Sequence, residues 1–325
     1  MNLREWNTNS KELREYIPDQ FKNKETEMVK VLGLEWNLQK DELKLRLSLQ
    51  GKNTCAFNKK GEVLRVIASV FDPCGYVVPI LLPAKLFLQR LWSQKIPWDN
   101  PLTGGHMDEW LNNILRSLEN VQEYSVPRYF AHGLATGRGD VVHELHCFTD
   151  ASMKAYAAVV YMRSTSQNKT VVTFVAGKSR LVSHSDQNDL KIPKLELLGV
   201  VIGSRLIMYV QKFLRKKINK QFLWMDSQIV LSWCETKKLH PPFIARRIDR
   251  IKKNPDLNIR HVTSQFKTAD VAIRPINSTT EMTQWLSGPE FLRRDITQWR
   301  KLRQVYSACK KTWRGRVLRI SLCVR

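Results

Sequence analysis

Apolar residues recur along this chain with two different periods, and the change from one to the other falls near residue 140. Before it the spacing is mostly helical. Ser10 is placed to cap a short helix running to Tyr16 and stopped before Pro18. Val29, Val31, Leu34 and Trp36 suggest one strand, and Leu43, Leu45 and Leu47, alternating with charged residues, suggest its mate. Val63, Val66, Ile67 and Val70 form an apolar stripe that ends at Asp72-Pro73-Cys74-Gly75; Leu82 to Trp92 is a second helix and Asp108 to Val121 a third, with Trp110, Ile114, Leu115 and Leu118 on one face. Val126-Pro127-Arg128 then marks a boundary.

Beyond residue 140 the alternation is that of strands. Leu145–Thr149, Tyr156–Met162 and Thr170–Gly177 read as three strands, followed by a long helix after Pro193 with Leu195, Leu198, Ile202, Leu206 and Val210 inward. A strand over Gln221–Met225, helices through Ile229 and Trp233 and through Ile244 and Ile248, and a strand over Asn258–Val262 complete the order β-β-β-α-β-α-α-β, with a short helix at Asp270. This is an α/β pattern. Residues 276–325 are less regular, and from Phe291 to Arg325 there are 11 Lys and Arg against one acid, Asp295.

Composition sharpens the picture. With 325 residues, 43% of them hydrophobic, the chain has room for about two or three globular domains. No apolar run approaches the roughly 18 residues of a membrane span, and the start, Met1 to Trp6, lacks a signal-peptide core; an intracellular protein with no membrane partner is expected. The formal net charge of +23 suits a polyanionic partner, nucleic acid above all. Cys55, Cys74, Cys147, Cys234, Cys309 and Cys323 are scattered without zinc spacing, so free thiols are expected.

Four acids occupy telling positions. Asp150 ends the first strand of the α/β region, Glu196 lies one turn into the helix after Pro193, Asp226 ends the strand before Ser227, and Asp270 opens the last short helix. Singly, each is an ordinary turn, cap or surface residue. Together, at strand ends and helix starts, they can converge at one sheet edge. Convergent carboxylates suit phosphodiester hydrolysis, in which two Mg²⁺ ions roughly 3.5–4 Å apart activate water and relieve charge on the leaving oxygen.

The run from about residue 145 to 275 resembles the ribonuclease H domain of BEL/Pao-class retrotransposons, in CFTDASMKAYAAVVYMRS (147–164), FVAGKSRLVS (174–183), IPKLELLGVVIGSRL (192–206), WMDSQIVLSW (224–233) and RHVTSQFKTADVAIRP (260–275). Upstream, NLREWNTNS (2–10), VLGLEWN (31–37) and the stretch from Glu62 to Leu102 resemble the part of the same Pol polyproteins between polymerase palm and ribonuclease H, the region known in that class as the Pao retrotransposon peptidase; GPEFL (288–292) resembles the connector that follows. The resemblance implies a ribonuclease H-like mixed five-stranded sheet with flanking helices, preceded by a mostly helical reverse-transcriptase thumb/connection region. It implies a division into 1–60 (end of palm/thumb), 61–135 (helical connection), 140–276 (ribonuclease H-like) and 277–325 (basic connector or tail). It also implies hydrolysis of the RNA strand of RNA–DNA hybrids, with Asp150, Glu196, Asp226 and Asp270 as ligands of two Mg²⁺ ions (Mn²⁺ as the alternative), and other Pol domains as partners in a full-length element. The sequence departs from the pattern in places: Lys267-Thr268 replaces the usual Asn-Pro before Ala-Asp, Pro275 stands for a glycine, and the Tyr-x-Asp-Asp polymerase motif is absent, so primer extension is not expected.

Around the acids, Ser152, Ser227, Gln228 and Asn188 are candidates for minor-groove contacts to 2′-hydroxyls, and Lys178, Arg180, Lys194, Arg246, Arg247 and Arg250 for phosphate contacts. His261 is a candidate proton shuttle set within a strand. The competing readings are a nucleic-acid-binding copy with a dead site, an integrase or transposase, and an aspartic peptidase. The order Asp, Glu, Asp, Asp argues against an integrase, which uses D, D, E. No Asp-Thr-Gly or Asp-Ser-Gly supports a peptidase, and Asp72 reads as a helix end.

Overall fold

The computed structural model describes residues 6–24, 27–31, 34–45, 58–119, 124–134, 141–167, 169–214, 216–236, 238–276 and 278–299. Leu47, Cys55, Cys309, Cys323 and the basic residues from 300 onward lie outside them.

The first helix, α1 (Lys11–Tyr16), is capped as its sequence suggests: the Ser10 hydroxyl accepts the Leu13 N–H at 3.2 Å. The stretch expected as one strand is two, β1 (Met28–Val31) and β2 (Leu34–Asn37), paired antiparallel with Val31 opposite Leu34. The apolar positions change phase from odd (Val29, Val31) to even (Leu34, Trp36), and a strand with one buried face cannot change phase without a turn or bulge. β3 (Glu42–Leu45) and β4 (Tyr124–Pro127) complete a four-stranded antiparallel sheet in the order β1-β2-β3-β4.

Between β3 and β4 lie α2 (Lys60–Ala68), α3 (Val78–Ser93), α4 (Gly105–Asp108) and α5 (Arg116–Glu119), the last two joined by a π-helical turn over Glu109–Leu115. Asp72 does not end α2, which stops at Ala68; its two carboxylate oxygens accept the N–H groups of Tyr76 and Val77, each at 2.8 Å, and so cap the entry to α3. Phe87 of α3 stacks on Trp110, with centroids 5.5 Å apart, in the core of this layer.

The second sheet is mixed and five-stranded, in the order β7-β6-β5-β8-β9. β5 (Val142–Ala151), β6 (Ala155–Ser166) and β7 (Lys169–Leu181) run antiparallel; β8 (Lys220–Met225) and β9 (Leu257–His261) add in parallel beyond β5. Both faces are covered. Leu223 and Met225 face α7 (Ile192–Phe213), α8 (Gln228–Glu235) and α9 (Pro242–Lys252). Phe222 and Trp224 face the opposite core, shared with α2, α3 and the C-terminal α10 (Thr279–Ser287). α6 (His184–Asp189) is a short addition between β7 and α7. The α/β class and the element order expected from the sequence are therefore present: this is a ribonuclease H-like fold.

A buried ion cluster ties the C-terminal segment to the sheet. Arg163 of β6, 5% exposed, reaches Glu144 of β5 at 2.9 Å and donates to the Leu292 carbonyl at 2.8 Å. Burial alone would raise the Glu144 carboxyl, but His146 and Arg163 outweigh it and hold that carboxyl below its usual range. A carboxyl whose folded value lies below its unfolded value of about 4.3 contributes stability above that pH and loses it as pH falls through the folded value. Denaturant midpoints of the parent should therefore drop on acidification below pH ~4.3, and Glu144→Gln should remove that part of the drop while costing about 3–5 kcal/mol at pH 7 by leaving Arg163 unpaired. An unchanged acid slope in Glu144→Gln would refute this account.

Candidate active site

β5 and β8 run side by side and in parallel, so their C-terminal ends, carrying Asp150 and Asp226, lie at one edge of the sheet. α7 starts there, with Ile192 and Pro193 as its first residues, and sets Glu196 in its first turns. The helix packs closely over the end of β5, since a side chain at Gly199 would come within 3.2 Å of the Asp150 carbonyl oxygen. Ser227 joins the acids. Its hydroxyl donates to the Glu196 carboxylate at 2.5 Å and accepts the Val230 N–H at 3.3 Å, capping α8.

At the centre stands Lys267, in the segment leading to the 3₁₀ turn over Thr268–Ala272. Its ammonium lies 2.8 Å from an Asp226 oxygen and 3.1 Å from Asp150, and its side chain is 15% exposed. Ser264 adds a hydrogen bond to Asp226 at 3.3 Å. Burial lifts the Asp150 carboxyl to about 6, with Lys267 opposing and Asp226 assisting. Burial also raises Glu196, against the Ser227 hydrogen bond and with repulsion from Asp226. Asp150, Glu196 and Asp226 thus share one electrostatic site. Asp270 is differently engaged: Arg274, one turn on, holds its carboxylate at 2.7 Å and holds Glu281 of α10 at 2.6 Å.

The two ions implied by the resemblance do not fit this arrangement. An ammonium occupies the approach between Asp150 and Asp226, Asp270 is paired with Arg274, and among the described residues no three His, Cys, Asp or Glu side chains group around a point that could hold a metal.

The other expected contact residues divide into two sets. Ser152 is committed to structure: its hydroxyl receives the N–H groups of Lys154 and Ala155 and donates to the Ile273 carbonyl at 3.1 Å, fastening the β5–β6 turn to the segment that carries Asp270. The Arg247 guanidinium lies over the Phe243 ring, 3.3 Å from its centroid, and donates to the Phe243 carbonyl, while Lys194 sits 5.4 Å over the same ring. Gln228, Arg246, Arg250, Lys178 and Arg180 are exposed. His261 is half-buried within β9, and the Asn188 side chain lies outside what the structure describes. Lys267 was visible in the sequence only as a departure from a motif. The Asp270–Arg274 pair had a local signal, an acid and a base four apart on a helical turn.

Residues 59–227, just over half the chain, match the Pao retrotransposon-like RNaseH-like domain, and the chain belongs to that family. No match was found among curated proteins. Among solved structures, the foamy viral protease-reverse transcriptase in complex with double-stranded DNA is 12% identical, over 73% of this chain and 38% of that one (TM-score 0.43). The same enzyme in complex with RNA/DNA hybrid is 13% identical, over 78% and 31% (TM-score 0.42). Ribonuclease H1 from Halobacterium salinarum NRC-1 is 14% identical, over 39% and 89% (TM-score 0.27). The chain thus spans little more than a third of the foamy viral protein.

Proposed function

We propose that this domain binds RNA–DNA hybrid at the sheet edge bearing Asp150, Glu196 and Asp226 and holds it uncut, with Lys267 providing the charge neutralisation that a divalent ion would otherwise supply. The observation that carries this reading is the Lys267 ammonium within 3.1 Å of both Asp150 and Asp226. One fixed positive charge relieves part of the repulsion among three carboxylates, but an ammonium cannot present a bound water as nucleophile as a metal ion does. Exposed Arg246 and Arg250 are available for backbone phosphates. Affinity should therefore fall steeply with salt as counterions are released.

A second reading is the endonuclease itself, cutting the RNA strand of hybrids in Mg²⁺ or Mn²⁺. It is favoured by the presence of all four acids on the expected elements, three of them in one site. One assay separates the two. The chain is mixed with a hybrid carrying end-labelled RNA, in Mg²⁺ and in EDTA, and both retention and strand length are read. Retention without shortening, equal in the two conditions, is expected. Mg²⁺-dependent shortening of the RNA strand would replace this proposal by the endonuclease reading, and a salt-independent affinity would remove the cationic face from it.

A further inference from the structure

A groove of about 880 Å³ lies away from the carboxylates. Its floor is β7, one wall is the loop from Asp72 to Gly75 with Lys85 of α3, and the other is the C-terminal half of α7. Tyr209 lies thirteen residues along α7 from Glu196, about 20 Å at helical rise, so the groove is a separate place on the molecule.

Two features of the groove coincide. Its lining is cationic: Lys85, Lys178, Arg180 and Arg205 face one acid, Asp72, whose oxygens are already taken by two backbone N–H groups. Among the described residues Lys178, Arg180 and Arg205 make no ion pair, so their charge is available to a ligand. Its rim is aromatic: Tyr209 and Phe213 lie one turn apart on α7, 63% and 62% exposed, with ring centroids 4.7 Å apart. Exposed rings contribute nothing to the core, yet here two are held side by side above a basic floor.

From this we infer that the groove binds a single-stranded nucleic acid, with the phosphates on Lys178, Arg180 and Arg205 and bases stacked on Tyr209 and Phe213. A duplex would satisfy the cations but not the rings, because its bases are already stacked on one another; only an unpaired strand offers both charge and free base faces. The chain's own segment 301–325 is an unsuitable occupant. It carries eight Lys and Arg and no acid, so it would be repelled by a floor of the same sign.

The test uses the full chain and a fluorescein-labelled oligo-dT of fifteen nucleotides, with a fifteen-base-pair hybrid as comparison. Tyr209→Ala combined with Phe213→Ala should weaken oligo-dT binding roughly ten-fold or more, while hybrid affinity and thermal midpoint stay at parent values. Lys178→Ala with Arg205→Ala should weaken oligo-dT binding and flatten its salt dependence. Parental oligo-dT affinity in the aromatic variant overturns the inference, as does an equal loss for the hybrid. Competition by poly-glutamate as effective as by unlabelled oligo-dT also overturns it, in favour of an acidic-peptide site. A chain that fails to hold hybrid but passes these tests would leave the groove standing while removing the function proposed for the sheet edge.

Discussion

Lys267→Asn is expected to turn a site indifferent to Mg²⁺ into one that needs it. The parent carries its cation in the chain: the ammonium is shared between Asp150 and Asp226 and lies close enough to Glu196 to affect its ionisation. Removing it leaves three carboxylates in a volume where burial already penalises charge. In the absence of metal the variant should lose up to about 3 kcal/mol of stability, the lower end of what breaking a buried pair costs because Asp226 is partly exposed. A divalent cation bound to hard carboxylate oxygens then becomes the remaining source of neutralisation. At a hundred times its dissociation constant, such an ion would return about 2.7 kcal/mol.

The measurement is the thermal midpoint of parent, Lys267→Asn and Lys267→Arg, with and without Mg²⁺. Lys267→Arg keeps the charge and should follow the parent. A large Mg²⁺-dependent rise confined to Lys267→Asn supports a cation stand-in; an equal response in all three proteins would show that Lys267 is an incidental neighbour. The hybrid assay adds a second readout. Metal binding by Lys267→Asn without cleavage would place the remaining obstacle at Asp270, which Arg274 holds at 2.7 Å.

What could be read from the chain and what could not divide along physical lines. Strands β5 to β9 and helix α7 were legible because each carries a strong period over many residues, and Ser10 and Pro193 mark helix starts by local chemistry. The split of β1 from β2 was missed because two four-residue strands carry only two alternating apolar positions each, Val29 and Val31 then Leu34 and Trp36, too few to weigh a change of phase. The strand β4 was missed because Tyr124–Pro127 is short and finds its partner, β3, some eighty residues earlier in the chain. The placement of the acids followed from the elements that bear them. The role of Lys267 did not, since its partner Asp150 is 117 positions away and only the finished fold sets the two at 3.1 Å. The groove was hidden for the same reason: Lys85, Arg180 and Arg205 belong to three separate elements, and the rings of Tyr209 and Phe213 look in sequence like ordinary members of an apolar helix.

Gly177→Ala is expected to be among the most destabilising single substitutions in the chain, although it adds one methyl group to a strand. Three elements meet at this residue. Its N–H donates to the Cys74 carbonyl at 2.7 Å, which draws the loop before α3 onto β7. A Cβ at this position would fall 2.5 Å from the Trp285 ring of α10 and 2.9 Å from the Gly75 carbonyl oxygen. Neither neighbour can yield cheaply. Trp285 is fully buried, its indole N–H is bonded to the Tyr76 carbonyl at 2.9 Å, and its own carbonyl accepts the Tyr161 hydroxyl at 2.6 Å. Gly75 has a φ of +80°, a conformation that glycine adopts readily and an L side chain does not, and a Cβ there would come within 1.9 Å of the Gly177 carbonyl. Overpacking a well-filled core costs typically 1–3 kcal/mol; here the added strain on a hydrogen-bonded tryptophan and a closely apposed backbone should bring the loss to about 3 kcal/mol or more. Urea unfolding followed by tryptophan fluorescence measures it, with Gly133→Ala as the control, since a Cβ there meets only the end of the Lys169 side chain at 3.5 Å. The control has its own φ of +73° and should lose about 1 kcal/mol from backbone strain alone. A Gly177→Ala loss no larger than that of the control would show that the helical layer and the sheet are not locked together at this point.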